Sequence, residues 1–388
     1  MASSKSFVFS INAVLMALFP LLDIYFFQDL PIGIGSILLL LTGVVSPFIS
    51  QPNLRNKDAT VWIIALIVVS LFTYFLQSSN SWFSSSLYWH NLIVTVYILF
   101  IIISSGSRIN ITLLLKTCII IGVFASVICV YQRFSLLTTG AFEMFYIPGL
   151  NLGEVVGEQV LTLKRPAAFF TEPAHLCIYI VPLFYYTLNN NKILVAIILA
   201  AGILASGSTT GFLLLGFILF CFVLSKGSMK RKLIYILFFV LGAFVVVTYA
   251  PTVIEDNVDK FNETDASESI RLFGGVFFWR FFSATDVIFG IGLNQLENFA
   301  MSFSLYAKNY SGALIYAFTC YGLLGLGATI WFIVSLFRKP NANIISIIIF
   351  LGVFCTDQIL FNRNLVFLLV FIECMRQLNV QQKMNSLS

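Results

Sequence analysis

The sequence predicts an all-α, polytopic integral membrane protein, and three observations carry that expectation. Of 388 residues, 59% are hydrophobic and only 10% charged, against about a quarter charged in an average soluble domain. The mean hydropathy is +0.95, too high for a globule that must cover itself with polar side chains. Apolar runs of roughly 17 to 25 residues, the length that crosses about 30 Å of hydrocarbon, recur from end to end. The chain therefore reads as a single transmembrane domain, 1–388.

Twelve spans are the simplest count, with ends placed only to within a few residues: about 7–28, 31–49, 61–77, 91–106, 113–131, 172–188, 193–206, 209–225, 233–251, 311–337, 344–360 and 363–375. The first begins just after Lys5 and lacks a small-residue cleavage site, so it is expected to be retained rather than removed as a signal peptide. The seventh and eighth meet at "ASGSTTG", which reads either as a tight turn or as a break in one long helix. Orientation decides between them. With both termini cytoplasmic, fourteen of the 22 Lys and Arg residues fall on the inner side, nearly all in short loops, as the positive-inside rule requires. Merging the two spans would put "KGSMKRK" outside, so two crossings are expected.

Two outer segments are long, about 132–171 and 252–310, and long loops in compact proteins usually carry function or are disordered. The first closes on "LKRPAAFFTEPAHL" and leads into the sixth span. Thr171 is expected to cap that helix, with Pro173 in its first turn. Glu172 and His175, three apart, are then neighbours on one face, and Lys164 and Arg165 approach from the loop. One reading is an anion site at the positive end of a helix. The other is a plain helix start whose glutamate complements the dipole, with two cations near lipid headgroups.

The second long loop holds "ESIRLFGGVFFWRFFSATDVIFGIGLN". Its apolar stretch from Ile270 to Phe282 is too short to span and is expected to form an interfacial or re-entrant helix. Arg271 and Arg280, nine apart, would point to opposite faces of a straight helix; both serve one site only if Gly274–Gly275 bends it. Otherwise Arg280, among aromatics, anchors to headgroups. "GIGLNQ" lacks the third glycine and the βαβ setting of a dinucleotide fingerprint, and the acidic run from Glu255 to Glu268 lacks calcium-loop spacing. Elsewhere, Lys116 reads as a snorkelling residue, Asp23 and Asp357 as span-end carboxylates, the latter a partner for Arg363, and His90, beside Trp82 and Trp89, as part of an interfacial belt. The seven cysteines show no CxxC spacing; neither metal nor disulfide is expected, and the net charge of +5 is too dispersed to mark a nucleic-acid surface.

No nucleotide-binding loop is present, so an outer-face reaction needs a substrate that carries its own activation. A lipid-linked sugar pyrophosphate does. Arginines would clamp the pyrophosphate and stabilise charge growing on the leaving group, while a carboxylate or histidine takes the proton from the attacking hydroxyl.

"KRPAAFFTEPAHL" resembles the R-x-x-G-x-F-x-E-P segment of bacterial O-antigen polymerases and the related O-antigen ligases. Its arginine falls on Arg165, its phenylalanine on Phe170 and its Glu-Pro on Glu172–Pro173, with Ala168 in place of the usual glycine. "ESIR" followed by "DVIFGIGLN" is similar to the family's second outer loop and places its arginine on Arg271. "KNYSGALIYAFTCYGLLG" resembles the segment entering the next span; Lys308 stands where ligases usually have histidine, which favours polymerase. The resemblance implies a GT-C-type glycosyltransferase fold with about 12 transmembrane helices and two long periplasmic loops, in a bacterial inner membrane. It implies undecaprenyl-pyrophosphate-linked oligosaccharides as substrates, no cofactor, and a partner protein that sets chain length. The expected roles are Arg165 and Arg271 on pyrophosphate, with Arg280 and Lys308 as further candidates, and Glu172 or His175 as the base. An O-antigen ligase and a lipid-linked oligosaccharide flippase are the alternatives.

Overall fold

A computed structural model describes residues 2–22, 24–26, 33–38, 40–41, 57–105, 109–143, 145, 151–152, 164–224, 233, 237, 240, 274–305, 311–360 and 362–385. The expected spans at 31–49 and 233–251 lie mostly or almost wholly outside these residues. The chain divides into two compact units, residues 1–41 with 109–259, and residues 42–108 with 260–388.

Unit 1 contains α1 (Ala2–Leu22), α4 (Ile111–Thr139), α5 (Pro173–Asn189), α6 (Ile193–Ser206) and α7 (Thr209–Leu224), with a two-residue antiparallel pairing of β1 (Tyr25–Phe26) and β2 (Asn151–Leu152). Its helices approach closely because small residues sit where they cross, the usual device of membrane helix pairs. Gly202 of α6 lies directly on Ser126 of α4, and Cys129 Sγ reaches the Gly202 carbonyl at 3.5 Å. Gly211 of α7 lies on Cys177 of α5 in the same way. Buried Tyr179 of α5 donates to the Ala17 carbonyl of α1 at 2.9 Å, tying the first helix to the bundle.

The "ASGSTTG" stretch is a break between two helices. Gly207 ends α6 in the left-handed conformation, φ 67°, which glycine adopts without a Cβ penalty. The Ser208 hydroxyl then accepts from the Gly211 amide at 3.3 Å and starts α7.

Unit 2 contains α2 (Lys57–Gln77), α3 (Ser85–Ser105), α8 (Gly274–Phe278), a 3₁₀ turn (Trp279–Phe281), α9 (Ala284–Phe289), α10 (Leu296–Met301), α11 (Ala313–Arg338), α12 (Ile344–Thr356) and α13 (Arg363–Asn385). The fully buried Trp62 of α2 stacks on Phe332 of α11 at 4.3 Å, and its indole N–H donates to Thr329 at 3.1 Å. Such a ring pair contributes about 0.5–1.5 kcal/mol beyond its burial, and the hydrogen bond removes the cost of sinking a polar atom. Ser70 and Tyr88, 2.9 Å apart, join α2 to α3.

Helices α2, α3, α4 and α11 are each long and apolar enough to cross a membrane, and Phe9–Leu22, α6, α7 and α12 form shorter apolar helices. The chain is thus an all-α protein of membrane-spanning character. Several ends differ from the hydropathy reading. Helix α4 continues through Thr139, so residues 132–139 are helical rather than loop. Helix α12 stops at Thr356 because Asp357 turns extended, φ −130° and ψ 149°. Helix α13 runs on to Asn385, its polar half supported by Glu373, which binds Arg376 through two bonds of 2.9 and 2.6 Å and Gln377 at 2.9 Å. Helix α11 is two helices meeting at Gly322, whose φ of 60° and ψ of −157° are non-helical.

Candidate functional site

In unit 1 the "RPAAFFTEPAH" segment is built on a turn locked to the last turns of α4. Gln132, 1% exposed, is the lock. Its Oε1 accepts from the Ala168 amide at 2.8 Å and the Ala167 amide at 3.2 Å, and its Nε2 donates to the Glu143 carbonyl at 2.8 Å. Inside that grip Ala168 adopts φ 54°, the left-handed region that disfavours any residue with a Cβ, by roughly 1–2 kcal/mol. Phe170 is buried against Tyr179, ring centroids 5.4 Å apart, which fixes the loop to α5.

The helix start itself differs from the expected one. Glu172, not Thr171, occupies the cap position, with φ −146° and ψ 152° and no side-chain capping bond. Proline explains the shift: a residue preceding proline is pushed out of the helical region, so Pro173 makes Glu172 extended and becomes the first helical residue itself. Thr171 has another task. Its hydroxyl pairs with His175 Nδ1 at 2.5 Å. Glu172 and His175 are both half-buried, and Arg165 is half-buried in the loop just before them. The first-turn amides of α5 have no acceptor within the helix, and its dipole is positive here.

The neighbouring elements of unit 1 bring further groups to this end. Arg133, next to the Gln132 lock, donates from Nε to the Ala205 carbonyl at 2.8 Å, where its charge complements the negative end of α6. Cys177, one turn into α5, is 3.2 Å from Ser206 at the end of α6. Thus Gln132 and Arg133, about two turns before the end of α4, meet the end of α6 and the starts of α5 and α7 around one polar patch.

In unit 2 the "DVIFGIGLN" stretch is also a rigid device. Asp286, buried, closes a capping box with Ser283 and receives the Gln77 amide at 2.5 Å. Gly290 and Gly292 have φ of 80° and 98°. A Cβ on Gly290 would collide with the Cys320–Tyr321 backbone, and one on Gly322 with the Ile288 carbonyl. The break in α11 is used: the Thr319 and Cys320 carbonyls accept from the Ile291 and Gly292 amides at 3.0 and 3.2 Å. The short α8 and its 3₁₀ turn occupy part of the expected interfacial segment 270–282, and Phe278 packs with Leu296 and Phe299.

The arginines expected on phosphate have different fates in unit 2. Arg280 is exposed and stacks its guanidinium 3.7 Å over Phe277 and 4.7 Å over Phe281. Arg271 and Lys308 lie outside the described residues, as do residues 252–273 and 306–310 of the expected loop 252–310 and the acidic run within it. Asp23 is likewise outside them. His90 and Lys116 are exposed, and Asp357 is half-buried, with its carbonyl accepting from the Ala313 amide at 3.0 Å. All seven cysteines are free thiols; Cys355 is exposed and Cys221 half-buried, the rest buried.

No protein-family model matches the chain, and no curated protein matches it.

Sequence reasoning missed Gln132 and Arg133, and for Thr171 it missed the pairing with His175. Gln132 and Arg133 were assigned to a loop because hydropathy falls at Tyr131, yet a glutamine–arginine pair ending an apolar run is itself a signal of a polar group held at a helix end. Thr171 was seen, but as a cap.

Proposed function

We propose that this chain is an O-antigen polymerase: a glycosyltransferase that joins undecaprenyl-pyrophosphate-linked oligosaccharide repeats at the periplasmic face of a bacterial inner membrane. In this reading it has about twelve spans in a GT-C-type arrangement, both termini in the cytoplasm, and a separate protein partner that sets chain length. The observation that carries the reading is Ala168. The resembling family has glycine at this position, and here the backbone stands at φ 54°, a conformation suited to glycine. The likeness of "RPAAFFTEP" to the family segment is therefore supported by backbone shape as well as by letters. The positive φ at Gly290 and Gly292 supports the second stretch, "GIGLN", in the same way.

In the proposed mechanism Arg165 binds the pyrophosphate of the donor with its planar, always charged guanidinium. The α5 N-terminus adds amide donors and a positive dipole. A hydroxyl of the acceptor sugar attacks the anomeric carbon of the donor. The carbon–oxygen bond to pyrophosphate breaks, its electron pair leaves with undecaprenyl pyrophosphate, and the hydroxyl proton passes to a base. Glu172 is the first candidate for that base and His175 the second. A His175 that donates from Nδ1 to Thr171 carries its lone pair on Nε2, the form a general base needs. Arg271, Arg280 and Lys308 are proposed as additional phosphate-binding residues, each to be tested singly.

The lipopolysaccharide pattern of a strain lacking this chain tests the proposal. A polymerase deletion leaves one repeat on the core. Core alone would instead identify a ligase or a flippase.

A further inference from the structure

We infer that unit 2 carries a binding cleft for an anionic phospholipid headgroup at the end opposite the "GIGLN" stretch, with Lys339 as its central cation. This end is formed by the start of α2, the end of α11, the start of α12 and the last turns of α13. The described charged side chains there are Lys57, Arg338, Lys339, Arg376 and Lys383 against Asp58 and Glu373, five cations and two carboxylates, a net +3. A cleft of about 560 Å³ is lined by Lys339, Arg376, Gln377, Val380, Gln381 and Met384. A second, of about 280 Å³, opens on the other side of Lys339 beside Trp331, Ser335 and Pro340.

Both lining cations are already fixed in place. Lys339 reaches Asp58 at 3.4 Å with its side chain 16% exposed, and Arg376 is held by Glu373 at 2.6 Å with its own side chain 16% exposed. Asn379 Nδ2 donates to the Asn341 carbonyl at 3.3 Å and holds the far turns of α13 against the corner after α11. The two cations on the cleft wall are thus each held by a carboxylate of their own.

Its chemistry selects the ligand. Lys339, Arg376 and the Gln381 amide suit a phosphate ester with hydroxyls beyond it, as in phosphatidylglycerol, while the Gln377 amide is engaged by Glu373. This end as a whole carries net +3, so a headgroup of net negative charge gains more here than one that adds a choline or ethanolamine cation. Among the described residues lining the larger cleft there is no aromatic ring on which a nucleotide base could stack. The surface alongside is apolar and exposed, with Trp331 46%, Val334 39% and Phe337 41% accessible on α11, a surface for acyl chains next to the headgroup. Basic pockets between spanning helices recognise anionic headgroups in this way, each cation near the surface contributing about 1 kcal/mol. The inference rests on the chain being embedded in a membrane, and it is independent of the glycosyltransferase reading.

Native mass spectrometry of the full chain, released from detergent doped with phosphatidylglycerol, phosphatidylcholine or inorganic phosphate, tests it. Phosphatidylglycerol is expected to stay bound where phosphatidylcholine does not. Lys339→Gln should lower its occupancy about fivefold, the equivalent of about 1 kcal/mol. Lys57→Gln removes the same charge outside the cleft and should change it less than twofold. Gln381→Leu keeps every charge and touches only an exposed turn, so it serves if Lys339→Gln folds poorly; it should also weaken phosphatidylglycerol. Equal binding of both lipids, equal losses in the Lys57 and Lys339 variants, or displacement by millimolar inorganic phosphate would overturn the assignment.

Discussion

Replacing Gln132 by methionine keeps the length of the side chain and removes its polar atoms, which isolates the lock on the Arg165 loop. The loss can be worked bond by bond. The Ala167 and Ala168 amides lose their acceptor at 3.2 and 2.8 Å, and the Glu143 carbonyl loses a donor at 2.8 Å. Ala167 and Ala168 are buried, so water does not replace the glutamine freely. A buried donor left without a partner costs about 1–3 kcal/mol, so the two amides together place the loss at about 2–6 kcal/mol. The strain at Ala168, φ 54°, is then opposed only by what remains of the loop's packing, such as Phe170 on Tyr179. Hydrogen exchange of the 165–171 segment in the intact, membrane-reconstituted chain reads this directly. Because about 1.4 kcal/mol is a tenfold change, exchange at Ala167 and Ala168 should speed up by roughly 30- to 10⁴-fold. Ser135→Ala, in the next turn of the helix, removes only the exposed hydroxyl pair with Thr139 and should leave it unaltered. Exchange within threefold of the parent in the Gln132→Met protein would refute the idea that this side chain holds the loop.

Arg165→Ala should abolish polymer while the protein still inserts, and Arg165→Lys should recover only part of it, because a point charge lacks the guanidinium fork; normal ladders from the alanine variant at normal abundance would remove the pyrophosphate role. Glu172→Gln should cut turnover by about 10²–10⁴ if the carboxylate is the base or orients it, and near-normal turnover would move the assignment to His175. Thr171→Val should lower turnover by misorienting His175, and an effect no larger than that of a neutral surface change would separate Thr171 from the chemistry. Cysteine reporters at Glu158 and Asn262 should label from the periplasm and one at Ser228 should not; labelling at Ser228 from outside would reverse the proposed topology.

Much of the architecture is legible in the amino-acid order, and the parts that are not have identifiable causes. Helix α6 matches its expected span, 193–206, because lysine and the "SGS" stretch mark both ends of an apolar run. Helices α4 and α13 extend past their expected ends because hydropathy registers only the apolar part of a helix. The polar remainder is held by hydrogen bonds such as Gln132 to Ala168 and Glu373 to Arg376, which no window average sees. The break at Gly322 is hidden because its freed carbonyls are satisfied by the Ile291 and Gly292 amides, some thirty residues earlier in the chain. At the site, residue types and order were readable for Arg165, Glu172 and His175. The cap at Glu172 required weighing Pro173's effect on its predecessor above Thr171's capping propensity, and the Thr171–His175 pair follows from that shift.

The central claim is that this chain alone polymerises lipid-linked repeats. The most direct test gives the purified, reconstituted full chain undecaprenyl-pyrophosphate-linked repeats and nothing else, and separates the products by length. The account predicts a ladder of two or more repeats on one lipid carrier, with one undecaprenyl pyrophosphate released for each bond formed and release slower by about a hundredfold or more from the Glu172→Gln protein. Repeats that remain single, or that move only when a lipid A-core acceptor is supplied, would contradict it.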